Sequence, residues 1–299
     1  MFDAELMKAE DLAKWRARGF LHIEGVLSTS EVSRCEEVLR RIDGLSDGQS
    51  DVSELNFGDA GNARDVNVLD VVSEFPELAF LIDHRNMFGQ VLGLMGPYIQ
   101  VVGTELMIRY PSPEPLLKLH TDGGPSLRGC YPSNDSRVLH LKANFILSDT
   151  SEPNRGNFRV VPGSHMREFP RSAEAIDSAR DFQICARPGD VVLFPWSLWH
   201  GVASHRGSKP RFGAIVRYAQ MWARPCETRK VPTVELSGLS ERQRRLLGSL
   251  SREGASEDYD FYRCRAERHL DIMYGTEWSG CAEYSAYRES EEFGKEYYK

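Results

Sequence analysis

Two potential metal ligands stand two residues apart in the stretch KLHTDGG (residues 118–124), where His120 and Asp122 precede a pair of glycines. Side chains on a strand alternate between its two faces, so residues two apart point the same way and can reach one ion together. A third ligand has to come from elsewhere, and His200, just past the apolar run VVLF, is the best candidate. Two imidazoles and one carboxylate leave three positions of an octahedral ion open, which is the ligand set of non-haem Fe(II) oxygenases.

Three other histidines compete for the third ligand position. His165 ends the stretch VPGSH, which is typical of a tight turn after a strand. His140 lies in an apolar strand, as expected for a satisfied interior or pocket residue, and His205 is expected with Arg206 in a solvated loop. Because an HxD pair occurs often by chance, its spacing alone does not decide between a metal site and an ordinary polar turn.

An arginine follows the candidate ligand His200 at the start of another strand pattern. Arg211 comes eleven residues after His200 and opens the alternating run RFGAIVRYAQMW. A buried guanidinium can bind a carboxylate through two parallel hydrogen bonds. A dicarboxylic co-substrate needs such a clamp at the end remote from the metal, so Arg211 favours an enzymatic metal site.

The elements that must position these residues change in character along the chain. The first 45 residues are predicted to form helix, strand and helix, with STSE (residues 28–31) as a capping box before the second helix. Residues 44–65 are predicted to form a long loop, and residues 76–96 one or two helices. From Tyr98 onward, short strands broken by Gly and Pro predict an antiparallel barrel or jelly roll with the helices packed outside.

The composition and hydrophobic pattern of the sequence change again near Pro225. Residues 1–224 are predicted to form one jelly-roll domain with N-terminal helices, and residues 225–299 a charged, mostly helical extension. The extension could cover the barrel, close over its mouth or form a homodimer, and the sequence leaves these open. The stretch 123–137 is long for a hairpin connection and is expected to touch substrate.

Composition excludes several classes of protein. The chain has 299 residues, 41% hydrophobic and 27% charged, as in ordinary soluble globular proteins. A net charge of −7 argues against nucleic acid as a partner, since phosphate binding needs clustered Lys and Arg. The N-terminus contains no apolar run, so neither a signal peptide nor a membrane anchor is predicted. Six scattered cysteines without a CxxC motif indicate reduced thiols, so a cytoplasmic location is expected.

Taken together, five stretches resemble the phytanoyl-CoA dioxygenase family of Fe(II)- and 2-oxoglutarate-dependent oxygenases. In family order they are GFLHIEGVLSTSEV, HTDGG, NFRVVPGSH, PGDVVLFPWSLWHG and KPRFGAIVRY. The similarity covers roughly residues 10–222, and the spacing from the distal His to the Arg agrees. The resemblance implies a mainly β fold, a cupin-like double-stranded β-helix with flanking helices. The C-terminal 75 residues lie outside it.

The resemblance also implies roles for individual residues. His120, Asp122 and His200 correspond to the family's iron ligands. Arg211 corresponds to the partner of the far carboxylate of 2-oxoglutarate. Related halogenases replace the carboxylate ligand by a small residue, so Asp122 favours oxygenation over halogenation.

Other positions are matched more loosely. Asn144 falls near a position that often lines the co-substrate pocket. Some family members carry a hydroxyl two residues after the distal His, where this chain has Val202, so Ser204 is expected to assist Arg211 instead.

Three aromatic residues near the predicted ligands have two interpretations. Tyr110 precedes the HxD loop, and Trp196 and Trp199 flank His200. They could belong to the core or shape a substrate pocket, and we expect them to touch substrate.

The predicted cofactors are Fe(II), 2-oxoglutarate and O2, with ascorbate as a stimulant. The predicted reaction is hydroxylation of an unactivated C–H bond of a small molecule, with release of succinate and CO2; ring closure, desaturation and epimerisation stay open. An intermediate of secondary metabolism is the preferred substrate, and a CoA thioester is disfavoured. The alternatives are a cupin-like barrel that binds a metal or small molecule without redox turnover, and an interaction protein that acts through its C-terminal helices.

Overall fold

The computed structural model describes most of the predicted core and part of the C-terminal extension. The described residues are 6–44, 65–122, 136–167, 181–225, 237–248 and 269–297, together with Gly124, Leu127, Cys130 and Ser133. The predicted loop at 44–65, except for its two end residues, and most of the stretch 123–137 lie outside these residues.

Two antiparallel sheets form the middle of the fold. Within the described residues the strands are β1 (Leu21–Ile23), β2 (Val66–Leu69), β3 (Ile99–Arg109), β4 (Leu117–His120), β5 (His140–Ile146), β6 (Phe158–Val160), β7 (Phe182–Gln183), β8 (Val191–Pro195), β9 (His200–Val202) and β10 (Arg211–Gln220). The larger sheet has the order β1-β8-β5-β10-β3-β2, and the smaller sheet has the order β4-β9-β6-β7. Neighbouring strands pair antiparallel in both sheets. This architecture confirms the predicted mainly β, jelly-roll fold.

Helices flank the sheets at both ends of the chain. The described α-helices are α1 (Ala9–Arg18), α2 (Thr29–Gly44), α3 (Val71–Glu74), α4 (Arg85–Met95), α5 (Glu241–Leu246), α6 (His269–Trp278) and α7 (Ala282–Tyr297). Short 3-10 helices occupy Pro76–Asp83 and Ser164–Met166. Among the described helices, none combines the length and apolarity that a bilayer-spanning segment needs.

Helix α2 shows why the local sequence predicts its structure well. The Ser28 backbone N–H donates to Glu31 Oε2 at 2.8 Å, and the Glu31 backbone N–H donates to Ser28 Oγ at 3.3 Å. This reciprocal pair is the predicted capping box. The helix buries the apolar stripe that recurs at helical spacing, namely Val32, Cys35, Val38, Leu39 and Ile42.

Strand β5 separates the outer core from the space between the sheets. Its odd-numbered residues Leu141, Ala143 and Phe145 belong to the large apolar cluster under the helices. Each such buried side chain larger than alanine stabilises the fold by roughly 1.5–3 kcal/mol. The even-numbered residues face the other way, where Ile146 joins a second apolar cluster with residues of the smaller sheet such as Phe158. His140, Lys142 and Asn144 share that inner face by strand alternation.

The described part of the C-terminal extension packs on the outside of the main domain. Met273 and Tyr274 of α6 are fully buried in the large apolar cluster. The His269 ring stacks on Tyr98 with centroids 5.2 Å apart. The Trp278 ring lies 6.0 Å from that of Phe88 on α4. These contacts lie within one chain, and a homodimer formed through the extension stays a prediction.

Candidate active site

The smaller sheet brings the two predicted histidine ligands together. In the antiparallel pair β4–β9, His120 lies directly opposite His200, and their ring centroids are 4.3 Å apart. A side chain at Gly201 would disturb this pairing, because a Cβ there would lie 2.6 Å from the Leu117 carbonyl oxygen. The close approach of β4 to β9 therefore depends on a glycine beside His200.

Asp122 completes a group that can hold a metal ion. Its backbone N–H donates to the Trp196 carbonyl at 2.9 Å, which fixes the residue beside the end of β8. Its carboxylate oxygens lie 3.8 Å from His120 Nε2 and 3.4 Å from His200 Nε2. The three candidate ligand atoms all lie within 4.8 Å of one another.

Backbone contacts orient both imidazoles for ligation through Nε2. His120 Nδ1 lies 2.9 Å from the Lys118 carbonyl oxygen, and His200 Nδ1 lies 2.9 Å from the Leu198 carbonyl oxygen. A carbonyl can only accept, so each Nδ1–H donates and each neutral ring keeps its lone pair on Nε2. This is the tautomer that ligation through Nε2 requires.

Burial keeps His200 neutral at physiological pH. The residue is 4% exposed, and its ring lies 4.7 Å from Phe194 and 5.5 Å from Phe158. Desolvation lowers the pKa of His200 to about 4. A metal ion therefore does not compete with a proton for this nitrogen near neutral pH.

A lysine that the sequence analysis missed lies against the predicted ligand Asp122. Lys142 Nζ is 2.7 Å from Asp122 Oδ2, and both side chains are largely buried. Burial alone would raise the pKa of Asp122, but the adjacent His200 imidazole, the Lys142 ammonium and the neighbouring His120 ring hold that pKa below its ordinary value. The signal in the sequence was a lysine inside the apolar run HLKANFIL, since a lysine is seldom buried without a partner.

Arg211 has the burial and the unpartnered donors expected of the predicted carboxylate clamp. It opens β10, and its side chain is 2% exposed. Its Nε and Nη2 atoms are buried, and neither has a hydrogen-bond partner among the described residues. Desolvation, with a contribution from nearby Arg109, lowers the pKa of Arg211 to about 10, so the guanidinium stays charged at neutral pH. A buried cation with free donors fits the far carboxylate of 2-oxoglutarate.

The other predicted co-substrate contacts differ in their surroundings. Asn144 is buried on β5, and its Oδ1 has no hydrogen-bond partner among the described residues. The Ser204 hydroxyl donates to Asn154 Oδ1 at 3.1 Å, so it already has a protein acceptor. Val202 is buried on β9, two residues after His200. The roles of Asn144 and Ser204 toward 2-oxoglutarate stay predictions.

The three aromatic residues predicted to touch substrate take part in protein contacts. The Tyr110 hydroxyl donates to the Asp43 carboxylate of α2. Trp196 belongs to the large apolar cluster, and its carbonyl accepts from Asp122. The Trp199 backbone N–H donates to Ser164 Oγ at 2.9 Å. A substrate contact at these residues stays a prediction.

The competing histidines lie outside the metal-binding group. His165 sits in the short 3-10 helix after Val160 and Val161, with its ring 6.5 Å from that of Trp15. Burial lowers the pKa of His165 to about 4. The expectation of a solvated His205 was wrong: it is 6% exposed, and its Nε2 lies 2.7 Å from the Lys209 carbonyl oxygen. Backbone bridges to Ser112 and Arg155 cover it, and such long-range contacts leave no local signal.

The fold and the site together define a class of protein. Two facing antiparallel sheets carry a His-Asp-His group beside a buried arginine with free donors, as in cupin-like oxygenases that use a metal and an oxo acid. The sequence profile of the phytanoyl-CoA dioxygenase (PhyH) family matches residues 15–213, more than half of the chain. The chain belongs to this family of Fe(II)- and 2-oxoglutarate-dependent dioxygenases, which confirms the resemblance read from the sequence.

Individual relatives agree with this assignment. A protein named dioxygenase cdmA from Talaromyces verruculosus is 29% identical over 110 residues, which are 36% of this chain and 37% of the relative. The chain thus aligns with little more than a third of that relative's length. HygX from Streptomyces hygroscopicus, solved with nickel, 2-oxoglutarate and hygromycin B, superposes with a TM-score of 0.61 at 22% identity, covering 78% of this chain and 95% of HygX. The carbocyclase SnoK from nogalamycin biosynthesis superposes with a TM-score of 0.56 at 24% identity, covering 75% and 88% of the two chains. At these identities the two structures support the fold.

Proposed function

We propose that this dioxygenase hydroxylates an unactivated C–H bond of a small molecule, with His120, Asp122 and His200 as iron ligands and Arg211 as the clamp for 2-oxoglutarate. The observation that carries the proposal is the combination of three ligand atoms within 4.8 Å of one another and a buried guanidinium with unpartnered donors. A barrel that only stored a metal would have no use for the second feature.

The protein's own residues provide orientation and exclusion of water. Backbone carbonyls of Lys118 and Leu198 fix the imidazole tautomers, and the Trp196 carbonyl holds the Asp122 backbone. Phe158 and Phe194 keep water away from His200. Positioning of this kind is what a protein contributes when the metal supplies the reactivity.

The overall reaction balances with one co-substrate per hydroxylation. Bound Fe(II) with 2-oxoglutarate supplies activation of O2. One oxygen atom enters the C–H bond of the substrate as hydroxyl, and the other enters succinate, while the carboxyl carbon leaves as CO2. The two electrons from the substrate and the two from the decarboxylation of 2-oxoglutarate together reduce one O2. Ascorbate is expected to stimulate turnover by keeping iron reduced.

The substrate is proposed to be an intermediate of secondary metabolism, handled by the enzyme in the cytoplasm. Support comes from similar structures whose known ligands or pathways involve hygromycin B and nogalamycin. Among the described residues, Cys35 and Cys185 form no disulfide, which accords with a reducing compartment.

Succinate formation from 2-oxoglutarate tests the proposal. Wild-type protein with Fe(II), ascorbate and O2 is expected to release succinate slowly alone and faster with a substrate from a small-molecule panel. His200→Ala and Asp122→Ala are expected to abolish the release while keeping the wild-type circular dichroism spectrum. Full turnover by Asp122→Ala, or no succinate from wild-type protein shown to contain iron, would overturn the assignment.

A further inference from the structure

The lysine beside the metal-binding group is the feature that the proposed function leaves unexplained. Lys142 is 7% exposed on the inner face of β5. Its ammonium lies 2.7 Å from Asp122 Oδ2 and 5.8 Å from the centroid of the Phe194 ring. Burying an ammonium is unfavourable unless a carboxylate compensates it, and in this structure Asp122 has that role.

Polar atoms without partners surround this lysine on the same strand face. His140 precedes it by two residues and Asn144 follows it by two, so all three point between the sheets. His140 Nδ1 and Asn144 Oδ1 are buried, and neither has a hydrogen-bond partner among the described residues. Buried polar atoms are normally paired, and the co-substrate predicted beside Asn144 would pair its Oδ1. His140 Nδ1 is then left as a polar atom beside Lys142 that a further polar ligand can pair.

The neighbouring charges on the inner face pair among themselves. Arg217 of β10 lies opposite Lys142 in the sheet register and forms an ion pair with Glu105 of β3. Arg109 Nε lies 3.8 Å from Asp65 Oδ2. These two pairs are each electrically neutral.

Within the described residues, loading the site with Fe(II) and 2-oxoglutarate leaves one positive charge without a counter-charge, and we assign it to Lys142. The charges of Fe(II) and of doubly ionised 2-oxoglutarate cancel, and the proposed function assigns the far carboxylate to Arg211. Among the described residues at the inner face, four cations (Lys142, Arg109, Arg211 and Arg217) then face three carboxylates (Asp65, Glu105 and Asp122), a surplus of one positive charge. Asp122 is shared with the dication, so its attraction for the ammonium is weakened.

We propose that Lys142 is a specificity-determining residue that binds a carboxylate of the substrate beside the iron, with His140 as a neighbouring hydrogen-bonding group. This inference rests on the proposed function and adds a chemical class, a small molecule with a carboxylate. An ammonium acts as a point charge for such a group, and its position on a rigid central strand fixes the substrate relative to the ligands.

The test uses full-length protein loaded with Ni(II) and 2-oxoglutarate, which cannot turn over. The probes are benzoate, cyclohexanecarboxylate and 4-hydroxybenzoate, each with its amide, and binding is measured by ligand-detected NMR. At least one carboxylate is expected to bind wild type at millimolar concentration and at least tenfold more tightly than its amide. Lys142→Met is expected to remove that preference and Lys142→Arg to keep it, while Lys14→Met on the surface of α1 behaves as wild type.

Several other results would overturn the inference or the proposed function. Equal binding of acid and amide, no acid binding by wild type, or an unchanged preference in Lys142→Met overturns the inference. Ni(II) and 2-oxoglutarate affinities of the same samples are measured by calorimetry. If Lys142→Met loses either one while Lys142→Arg keeps it, the lysine serves the cofactor and the substrate role is wrong. If wild type itself binds neither, the proposed function fails, and the failure is distinct from that of the inference.

Discussion

Replacing Arg211 by methionine should weaken 2-oxoglutarate binding without harming the fold. The side chain is 2% exposed, and its Nε and Nη2 have no partner among the described residues, so a carboxylate can take two charge-assisted hydrogen bonds there. Such bonds contribute about 1.5–3 kcal/mol each, and we take a joint loss of about 3–4 kcal/mol. At about 1.4 kcal/mol per factor of ten, the Kd for 2-oxoglutarate should rise about 100- to 1,000-fold.

The same substitution makes an unusual stability prediction for protein without 2-oxoglutarate. Arg211 is a desolvated cation near a second cation, Arg109, as its lowered pKa indicates. A methionine of similar length removes that unfavourable charge, so the free energy of unfolding should stay unchanged or rise. Saturating 2-oxoglutarate should stabilise wild type by about 2.7 kcal/mol at 100 times its Kd, and the variant hardly at all.

Calorimetric titration of 2-oxoglutarate into Ni(II)-loaded protein measures the affinity, and chemical denaturation measures the stability. Arg206→Met is the matched control, because Arg206 is exposed and lies five residues away in the chain. A wild-type Kd in Arg211→Met would refute the clamp. A loss of more than about 2 kcal/mol of stability would refute the conclusion that the guanidinium is unpartnered in the free protein.

Two further predictions concern the pairing of the metal strands and the anchoring of the C-terminal helices. Gly201→Ala should push β4 away from β9, because the new Cβ would lie 2.6 Å from the Leu117 carbonyl oxygen. The affinity for Co(II) should then fall tenfold or more, and the free energy of unfolding should fall by about 1–3 kcal/mol. Gly280→Ala, with no atom within 4 Å of its Cβ, is the control, and equal Co(II) affinity in the two variants would contradict the geometry. Burial lowers the pKa of His269 from 6.5 to about 4. Between these pH values the folded protein binds fewer protons at His269 than the unfolded chain does. The contribution of the neutral ring to the free energy of unfolding is therefore present above pH 6.5 and is lost as the pH falls toward 4. In His269→Phe, the loss of stability with falling pH should be smaller by about 1.4 kcal/mol per pH unit across this interval. Denaturation at several pH values measures this dependence. The same dependence of stability on pH in wild type and variant would be inconsistent with a buried neutral imidazole.

Local patterns predicted much of this molecule because the relevant physics is local. The two-residue spacing of His120 and Asp122 predicted a shared metal site, although Asp122 lies past the end of β4. The capping box and apolar stripe specify α2. The alternating run after Arg211 predicted β10, with its first residue pointing inward. The order of the motifs then identified the family, which the profile match confirms.

Contacts between distant segments could not be predicted in the same way. Strands β2, β7 and β9 have two to four residues each, too few to show a period. Lys142 was missed, because its pairing with Asp122 depends on how the two sheets face each other. The covering of His205 by Ser112 and Arg155, and the hydrogen bond from Tyr110 to Asp43, likewise arise from segments far apart in sequence.

The central claim is that iron and 2-oxoglutarate meet at His120, Asp122 and His200. Anaerobic addition of 2-oxoglutarate to Fe(II)-loaded protein tests it most directly, because chelation of the metal by the oxo acid produces a weak visible charge-transfer band. We predict this band in wild type, its absence in His200→Ala, and its appearance only at much higher 2-oxoglutarate concentration in Arg211→Met. Iron-loaded wild type without the band at saturating 2-oxoglutarate would contradict the account.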